Sequence, residues 1–397
     1  METGSFKERG AAYALKRLSK EKKKIGVIAA SAGNHALALA YWGKRLGIPV
    51  TVIMPTIAPL TKIQRCKVYG ANVFVFGDDI FEAKRRAEEL QKEHNYTYIN
   101  GFDDLDILTG AGTCGLEIMR DHKDVDAIIV PIGGGGLVAG MSLAVKSTND
   151  DLNRDRNNSE RKEVQIIGVE PLGCASFIAA LKAGKPVEVD LKPTLADGLA
   201  VKKVGSTAFE IARHYVDKVV AVGDKYTALA VLRMLEEEKT LTEGAGSQSL
   251  AAMLAPNVLP ELKGKKVVLC ICGGNIDVQV LSKVLGRGLY VDNRLVRVEV
   301  LIDDVPGGLG RFSTLIGQVG ASIKELTQIR GFTDIQACTV NCTIETRDKR
   351  HSLELLSHLY KDYSVLSCSV SETIANEAKL LAEKKKMSFV EKSVEEK

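Results

Sequence analysis

The 397-residue sequence predicts an α/β fold, with mainly parallel, doubly wound sheets in two subdomains and a separate C-terminal domain of βαββαβ order. Short apolar runs alternate with helical patterns of roughly 10–15 residues, which is typical of βαβ units and a parallel sheet. Glycine-rich turns follow several of these runs, at the positions where open parallel sheets hold ligands. Beyond residue 290 apolar and polar residues alternate, so half-exposed antiparallel strands are expected there.

Composition excludes several classes of protein. The chain is 45% hydrophobic and 26% charged, as an ordinary globular protein is, and its length suggests two or three domains. The net charge of +4 is small and predicts neither a nucleic-acid partner nor a membrane partner. No apolar run reaches the roughly 18 residues of a transmembrane helix. The eight scattered cysteines predict a reducing compartment, which we take as the cytoplasm, with the mitochondrion as the alternative.

The elements of the first domain, residues 1–290, follow from these patterns. Buried strands are predicted at 25–30, 48–54, 72–76, 96–99, 126–132, 164–170, 219–222 and 266–272. Helices are predicted at 11–18, 35–47, 61–69, 81–94, 105–120, 137–147, 176–183, 207–216, 228–238, 247–254 and 276–285. The charged run 20–24 ends the first helix, and the polar segment 148–163 is predicted as a mobile surface loop. The small subdomain is expected at about 26–103.

The second domain is predicted at 294–372. Its strands are expected at 294–302, 323–330, 335–343 and 365–370, with helices at 309–319 and 352–360. That order is the split βαβ arrangement. The Lys/Glu-rich tail, 376–397, is either a solvated helix or disordered.

A lysine motif lies near the start of the chain. Lys7 stands between Gly4 and Gly10, beside Phe6 and ahead of a helical pattern. A lysine that forms a covalent aldimine must be held near the reacting carbon, with its ammonium pKa lowered. Taken alone, Lys7 is much better explained as an exposed loop lysine, because nearly all lysines are solvated.

Three further turns follow predicted strands. Gly133, Gly134, Gly135 and Gly136 join a strand to a helix, where backbone amides can close around a phosphate, although a structural turn is the alternative. No Gly-Lys-Ser/Thr follows, and no acidic residue completes a dinucleotide fingerprint, so a nucleotide is not indicated. The turn at 31–35 is an anion site or a helix cap. Cys272, which ends the last strand, is a ligand-facing thiol or a core thiol.

Together, a reactive lysine, a phosphate loop, an anion loop and a strand-end cysteine indicate a phosphate-bearing cofactor held covalently by lysine. That cofactor is pyridoxal 5'-phosphate. The motifs Gly-Ser-Phe-Lys-Glu-Arg-Gly, Ser-Ala-Gly-Asn-His, Gly-Gly-Gly-Gly-Leu and Cys-Gly-Gly-Asn stand in the order found in one family. From residue 2 to about 289 the chain resembles the pyridoxal-phosphate enzymes of the tryptophan-synthase-β fold (fold type II), specifically the threonine/serine dehydratases.

The resemblance implies a role for each motif. Lys7 forms the internal aldimine and is the catalytic residue, and Phe6 packs on the cofactor ring. Asn34 bonds the ring hydroxyl, and Cys272 faces the pyridine nitrogen. The cofactor phosphate is expected to lie on the backbone of Gly133, Gly134, Gly135, Gly136 and Leu137. The substrate carboxylate is expected at Ser31, Gly33, Asn34 and His35.

The chain departs from the family pattern in four places. Family members carry several dozen residues before the lysine motif, so we expect this chain to be a shortened form. Ala32 stands where serine racemases carry a second serine, which points away from racemisation. Glu170 and Pro171 match the family's divalent-cation site, but Ser176 stands where an Asp is needed, so no metal is predicted. Ala111 stands where Gln is common.

The second domain resembles an ACT domain, the regulatory module that follows many dehydratases. Its turn between the first strand and the first helix resembles the part of ACT domains that holds amino-acid effectors, and it comprises Val305, Pro306, Gly307, Gly308 and Leu309. ACT domains usually pair, so a homodimer or homotetramer is expected.

The resemblance therefore implies an L-threonine/L-serine ammonia-lyase that gives 2-oxobutanoate or pyruvate plus ammonia. Two alternatives stay open at this point. One is a serine racemase or β-replacement enzyme of the same fold. The other is an inactive, shortened isoform that acts as a regulatory partner.

Overall fold

A computed structural model of the chain describes residues 1–153, 163–330 and 336–395. They form two compact units, Met1–Val284 and Leu285–Lys397. The first unit contains two four-stranded parallel sheets, and the second contains a four-stranded antiparallel sheet. The predicted α/β class is confirmed. Within the described ranges, no helix has the length and apolar character needed to cross a bilayer.

The first sheet lies in the N-terminal part of the first unit, and the small subdomain at about 26–103 stays a prediction. Its strand order is β3-β2-β1-β4, built from β1 (Val27–Ala30), β2 (Val50–Met54), β3 (Asn72–Val75) and β4 (Thr97–Tyr98). The helices are α1 (Lys7–Arg17), α2 (Lys20–Ile25), α3 (Asn34–Leu46), α4 (Leu60–Val68) and α5 (Ile80–His94). All of β2 is buried, as expected of a parallel strand covered on both faces. The side chain of Asp79 caps α5 by accepting bonds from Phe81 N and Glu82 N.

The second sheet has the order β7-β6-β5-β8 and is also parallel. Its strands are β5 (Ala127–Pro131), β6 (Gln165–Pro171), β7 (Lys218–Val222) and β8 (Val267–Leu269). The helices are α6 (Leu105–Asp121), α7 (Gly136–Asn153), α8 (Ser176–Ala183), α9 (Ser206–Tyr215), α10 (Asp224–Glu236), α11 (Gln248–Leu254) and α12 (Val278–Val291), with short 3₁₀ turns at Asp197–Leu199 and Pro260–Leu262. The largest core cluster packs α6, α7 and α9 against the central strands β5 and β6.

The second unit folds around β9 (Leu295–Asp303), α13 (Gly308–Gln318), β10 (Ser322–Ile329), β11 (Ala337–Glu345), α14 (Lys349–Asp362), β12 (Ser364–Cys368) and α15 (Glu372–Glu395). The strands are antiparallel in the order β10-β11-β9-β12. Alternate residues of β9 are buried, so one face of this sheet carries the core and the other is more open.

Three segments differ from the sequence prediction. The loop predicted at 148–163 is wrong for its first part, because α7 continues to Asn153 with Asn149 and Asn153 buried; residues 154–162 lie outside the described ranges. The run 20–24 is a short helix of its own, capped by the Ser19 hydroxyl. The helix predicted at 276–285 begins at Val278 and extends to Val291.

The C-terminal tail is rich in charged residues, but it forms a helix with one buried apolar face. Of the two predicted alternatives the structure has the helix, which already begins at Glu372. Ile374, Ala378 and Ala382 recur at every fourth position, and all are buried. These three residues form a narrow apolar stripe that is buried, whereas Glu377, Lys379 and Lys384 on the other faces of the helix are exposed.

Candidate active site

Lys7 is the first residue of α1, and its side chain is half-buried. Its Nζ donates a hydrogen bond to the carbonyl oxygen of Gly101 at 2.7 Å and lies 5.0 Å from the centroid of the Phe6 ring. Burial lowers the pKa of Lys7 to about 8, while the nearby Cys272 and Glu243 act in the opposite direction. A substantial fraction of the amine is therefore neutral just above neutral pH, which is what a nucleophilic lysine requires.

The lysine motif is joined by backbone hydrogen bonds to the cysteine motif. Phe6 N donates to Cys272 O at 2.9 Å, and Gly274 N donates to Gly4 O at 2.9 Å. Ser5 and Gly273 form an antiparallel bridge between the same two segments. The structure thus places Lys7 beside the turn that follows β8, although the two motifs lie far apart in the sequence.

Cys272 is buried in this turn with an exposed fraction of 9%. Burial raises the pKa of its thiol to about 12, and the neighbouring Glu243 acts in the same direction. The side chain is therefore a neutral thiol at physiological pH and offers a weak hydrogen bond rather than a charge.

Asn34 begins α3, and both ends of its amide have protein partners. Its Nδ2 donates to Glu243 Oε1 at 2.6 Å, and its Oδ1 accepts from Asn275 Nδ2 at 2.8 Å. Glu243 is buried, and burial raises the pKa of its carboxyl group. Glu243 was missed in the sequence, where only its place between Thr242 and Gly244, in a glycine-rich turn, could have drawn attention to it.

The glycine run links β5 to α7, and all of its residues are buried. Gly135 has φ +93°, a conformation that favours glycine. A Cβ atom at Gly134 would lie 2.2 Å from the Phe102 ring, and one at Gly136 would lie 2.6 Å from Phe102 O. Among the described residues, no acceptor is found for the backbone N–H groups of residues 133–137. Buried amides without partners form a ready site for an anion.

The same turn that carries Phe102 also contacts the lysine. Lys7 Nζ bonds Gly101 O, and the adjacent Phe102 packs against Gly134 and Gly136. The lysine and the glycine run therefore lie on either side of one turn at 100–104, directly after β4. The Asn100 side chain fixes this turn by accepting bonds from Phe102 N and Asp103 N.

The anion loop predicted at 31–35 lies between β1 and α3. Ser31 Oγ accepts a bond from Gly33 N at 3.2 Å, so its hydroxyl proton is free for another acceptor. No atom lies within 4 Å of a Cβ position at Gly33. His35, by contrast, is buried in the first turn of α3, where its Nε2 is 3.0 Å from Ile99 O. Burial, and then the charge of Lys7, lower the pKa of His35 to about 4, so the ring is neutral.

These residues fit pyridoxal phosphate. The backbone of residues 133–137 offers five N–H donors that have no acceptor in the described part of the chain, and Lys7 offers an amine of lowered pKa for an aldehyde. Phe6, Asn34 and Cys272 would line the ring, and residues 133–137 would hold the phosphate. The polar groups needed at each end of the cofactor are therefore present.

The carboxylate of Glu170, at the end of β6, already has two backbone partners. Its oxygens accept from Phe177 N at 2.7 Å and Ile178 N at 2.9 Å, and burial raises its pKa to about 7. The neighbouring Ser176 hydroxyl is buried and has no partner among the described residues. Glu170 thus caps α8, and the absence of a metal stays a prediction.

Comparison with known proteins identifies the class. Residues 1–273 match the family model described as pyridoxal-phosphate dependent enzyme. The L-threonine ammonia-lyases of Thermotoga maritima and Geobacter sulfurreducens are 40% and 41% identical to the chain, over 89% and 90% of its length and 85% and 86% of theirs. The chain therefore belongs to the pyridoxal-phosphate-dependent enzymes, and the predicted cofactor is confirmed.

Solved structures agree with this assignment. The processed form of threonine deaminase isoform 2 from Solanum lycopersicum matches with a TM-score of 0.66 and 34% identity, covering 72% of this chain and 80% of that chain. A serine racemase from Dictyostelium discoideum matches with a TM-score of 0.62 and 33% identity, covering 70% of this chain and 85% of that chain. Within the family, the chain is thus similar to enzymes that act on hydroxy amino acids.

Proposed function

We propose that this chain is an L-threonine/L-serine ammonia-lyase that releases ammonia and 2-oxobutanoate or pyruvate. The observation that carries the proposal is the similarity to two L-threonine ammonia-lyases over 355 and 359 residues, which takes in most of the chain and not only its cofactor site. The catabolic L-threonine dehydratase TdcB of Staphylococcus aureus is 38% identical over 290 residues.

The site supports this chemistry. Bound pyridoxal phosphate supplies an aldehyde for the amino group and a conjugated ring that stabilises negative charge on the α-carbon. Lys7 Nζ, with its pKa lowered to about 8, is suited to accept the α-proton. The Ser31 hydroxyl and the open backbone at Gly33 are suited to hold the substrate carboxylate.

The neutral thiol of Cys272 favours elimination over transamination. A carboxylate facing the ring nitrogen would keep that nitrogen protonated, whereas a thiol of pKa about 12 remains neutral. Cys272 would therefore leave the cofactor a weaker sink for electrons, a property that would favour loss of the β-hydroxyl over transamination. Ala32 also favours elimination over racemisation, because it brings no acid to the loop at 31–35.

We further propose that the second unit is an ACT-like regulatory domain that binds an amino acid at the turn 305–309. Gly307 has φ +84°, and Gly308 begins α13 with its N–H bonded to Val305 O at 2.9 Å. A Cβ atom at Gly308 would lie 2.3 Å from Asp303 O, so the turn requires glycine there. Such a turn at a helix start is suited to a carboxylate, and pairing of these units would give a dimer or tetramer.

The activity is tested with the purified chain and pyridoxal phosphate. L-threonine should give equimolar ammonia and 2-oxobutanoate, and L-serine should give ammonia and pyruvate. Formation of D-serine without ammonia would favour the racemase alternative. A chain that binds the cofactor but releases no ammonia from either substrate would favour the regulatory-partner alternative.

A further inference from the structure

The amide of Asn275 has a single possible orientation. Its Nδ2 donates to Thr3 O at 2.5 Å and to Asn34 Oδ1 at 2.8 Å, and its Oδ1 accepts from Arg65 Nη1 at 3.1 Å. Both N–H bonds and the carbonyl oxygen are therefore used. Rotating the amide by 180° would place a donor against the guanidinium group and an acceptor against a carbonyl oxygen, so all three bonds would be lost.

Asn275 in turn fixes one side of the Asn34 amide. Because Asn275 presents an N–H, the adjacent atom of Asn34 must be its oxygen. The nitrogen of Asn34 then faces Glu243 Oε1 at 2.6 Å. A carboxylate oxygen can only accept there, so Glu243 selects the same orientation from the opposite side.

Space for this contact comes from Gly273. A Cβ atom at that position would lie 2.2 Å from Glu243 Oε1 and 3.5 Å from Asn34 Nδ2, so any larger residue would push the carboxylate away. The backbone of Glu243 is also held, because its N–H donates to Gly273 O at 3.0 Å. Gly273, in the turn after β8, therefore leaves space for the Glu243 carboxylate and also holds the Glu243 backbone in place.

One N–H of Asn34 remains. Nδ2 carries two hydrogens, Glu243 takes one, and no second acceptor is found among the described residues. Gly273, whose Cβ position lies 3.5 Å from Asn34 Nδ2, forms a β-bridge with Ser5, two residues before Lys7. The remaining N–H of Asn34 therefore lies close to the segment that carries the reactive amine.

We propose that Glu243 is a positioning residue that, together with Asn275, holds the Asn34 amide so that its remaining N–H donates to the pyridoxal phosphate ring. The proposal rests on the cofactor chemistry of the proposed function but not on its substrate. Glu243 touches Asn34 and acts through it. Removing the carboxylate should therefore have no effect once the Asn34 amide is gone.

A double-mutant cycle tests this dependence. Apoprotein of the wild type, Glu243→Ala, Asn34→Ala and the double variant is titrated with pyridoxal phosphate alone, and binding is followed by the visible absorbance of the bound cofactor. Glu243→Ala should weaken binding about 10-fold, the size of one hydrogen bond to a charged group. The double variant should bind no more weakly than Asn34→Ala, and Glu243→Ala should shift the visible band in the same direction as Asn34→Ala.

Glu243→Gln separates positioning from a general structural role. Glutamine has an acceptor oxygen at the same distance from the backbone, so the affinity of Glu243→Gln for pyridoxal phosphate should lie within about 2-fold of that of the wild type. If Glu243→Ala does not fold, as judged by circular dichroism, Glu243→Met replaces it, since Met has similar length and no comparable acceptor. Multiplicative effects in the cycle, or a Gln variant as weak as the Ala variant, would overturn the proposal.

This result is independent of the reaction. The titration contains no amino acid, so it can fail while ammonia is still released from L-threonine. Conversely, the cycle can succeed in a chain that releases no ammonia, in which case only the proposed lyase activity is wrong.

Discussion

Substituting Gly136 by alanine adds only one carbon atom, but it should disturb the phosphate loop strongly. The added Cβ would lie 2.6 Å from Phe102 O, 2.9 Å from Phe102 Cα and 3.1 Å from Phe102 C. These are all backbone atoms, so no side-chain rotation relieves the contact. Either the glycine loop or the turn at 100–104 has to move by several tenths of an ångström, and that turn also holds the Lys7 amine.

The expected cost follows from these distances. Inserting one carbon into a packed region of this kind costs about 1–3 kcal/mol. A domain of this size loses about 2–4 °C of Tm for each kcal/mol. Displacing one backbone donor from the phosphate removes a charge-assisted hydrogen bond of about 1.5–3 kcal/mol. Affinity for pyridoxal phosphate should therefore fall roughly 10- to 100-fold.

The assay combines thermal unfolding of the apoprotein with titration by pyridoxal phosphate. Gly286→Ala is the matched control, because nothing lies within 4 Å of its Cβ position inside α12. That control should gain roughly 0.5–1 kcal/mol of stability from the better helix residue and bind the cofactor normally. If Gly136→Ala kept the wild-type affinity for pyridoxal phosphate and the wild-type Tm, the glycine run would not be a tightly packed phosphate site.

Four further outcomes are expected. Lys7→Ala should lose both ammonia release and the cofactor that borohydride fixes to the protein; a fixed cofactor in the variant would contradict the role of Lys7. Because burial lowers the pKa of Lys7 to about 8, cofactor uptake by the apoprotein should rise about tenfold per pH unit up to pH 8 and then level off. The free energy of unfolding of the apoprotein should increase between about pH 8 and 10.5, because Lys7 binds a proton in the unfolded chain over this range but not in the folded one. Ala32→Ser should add some D-serine formation and deuterium exchange without abolishing dehydration, and no D-serine at all would count against our interpretation of Ala32. Gly308→Trp should abolish the calorimetric binding of branched-chain amino acids, threonine or serine, while cofactor binding stays normal. The roughly 5- to 150-fold change in substrate affinity that such an effector should cause would be lost as well. An unchanged response to these amino acids would show that the turn 305–309 has no part in regulation.

Local patterns were sufficient for much of the fold. The runs at 48–54 and 126–132 contain β2 and β5, which are buried throughout, because a parallel strand covered on both faces needs apolar residues at successive positions. The alternation after residue 294 predicted β9, where one face alone is buried. The glycine run and the lysine motif were also visible, because their chemistry depends on neighbouring residues in one short segment.

Other features of the fold could not be predicted from local patterns, because they depend on tertiary packing. The continuation of α7 to Asn153 could not be predicted, since polar residues such as Asn149 are helical there only because one face of the helix is buried. Likewise the apolar stripe of α15 is too narrow to outweigh its charges in a local pattern.

The site shows the same division. Lys7, Asn34, Cys272 and the glycine run could be selected from the sequence because each belongs to a short motif with a characteristic spacing. Glu243 could not, since its partner Asn34 lies 209 residues away and nothing local distinguishes a buried carboxylate from a solvated one. The sequence alone determined which chemical groups are available; the tertiary structure decided which of them share a desolvated site, because burial and hydrogen-bond partners arise only when distant segments pack together.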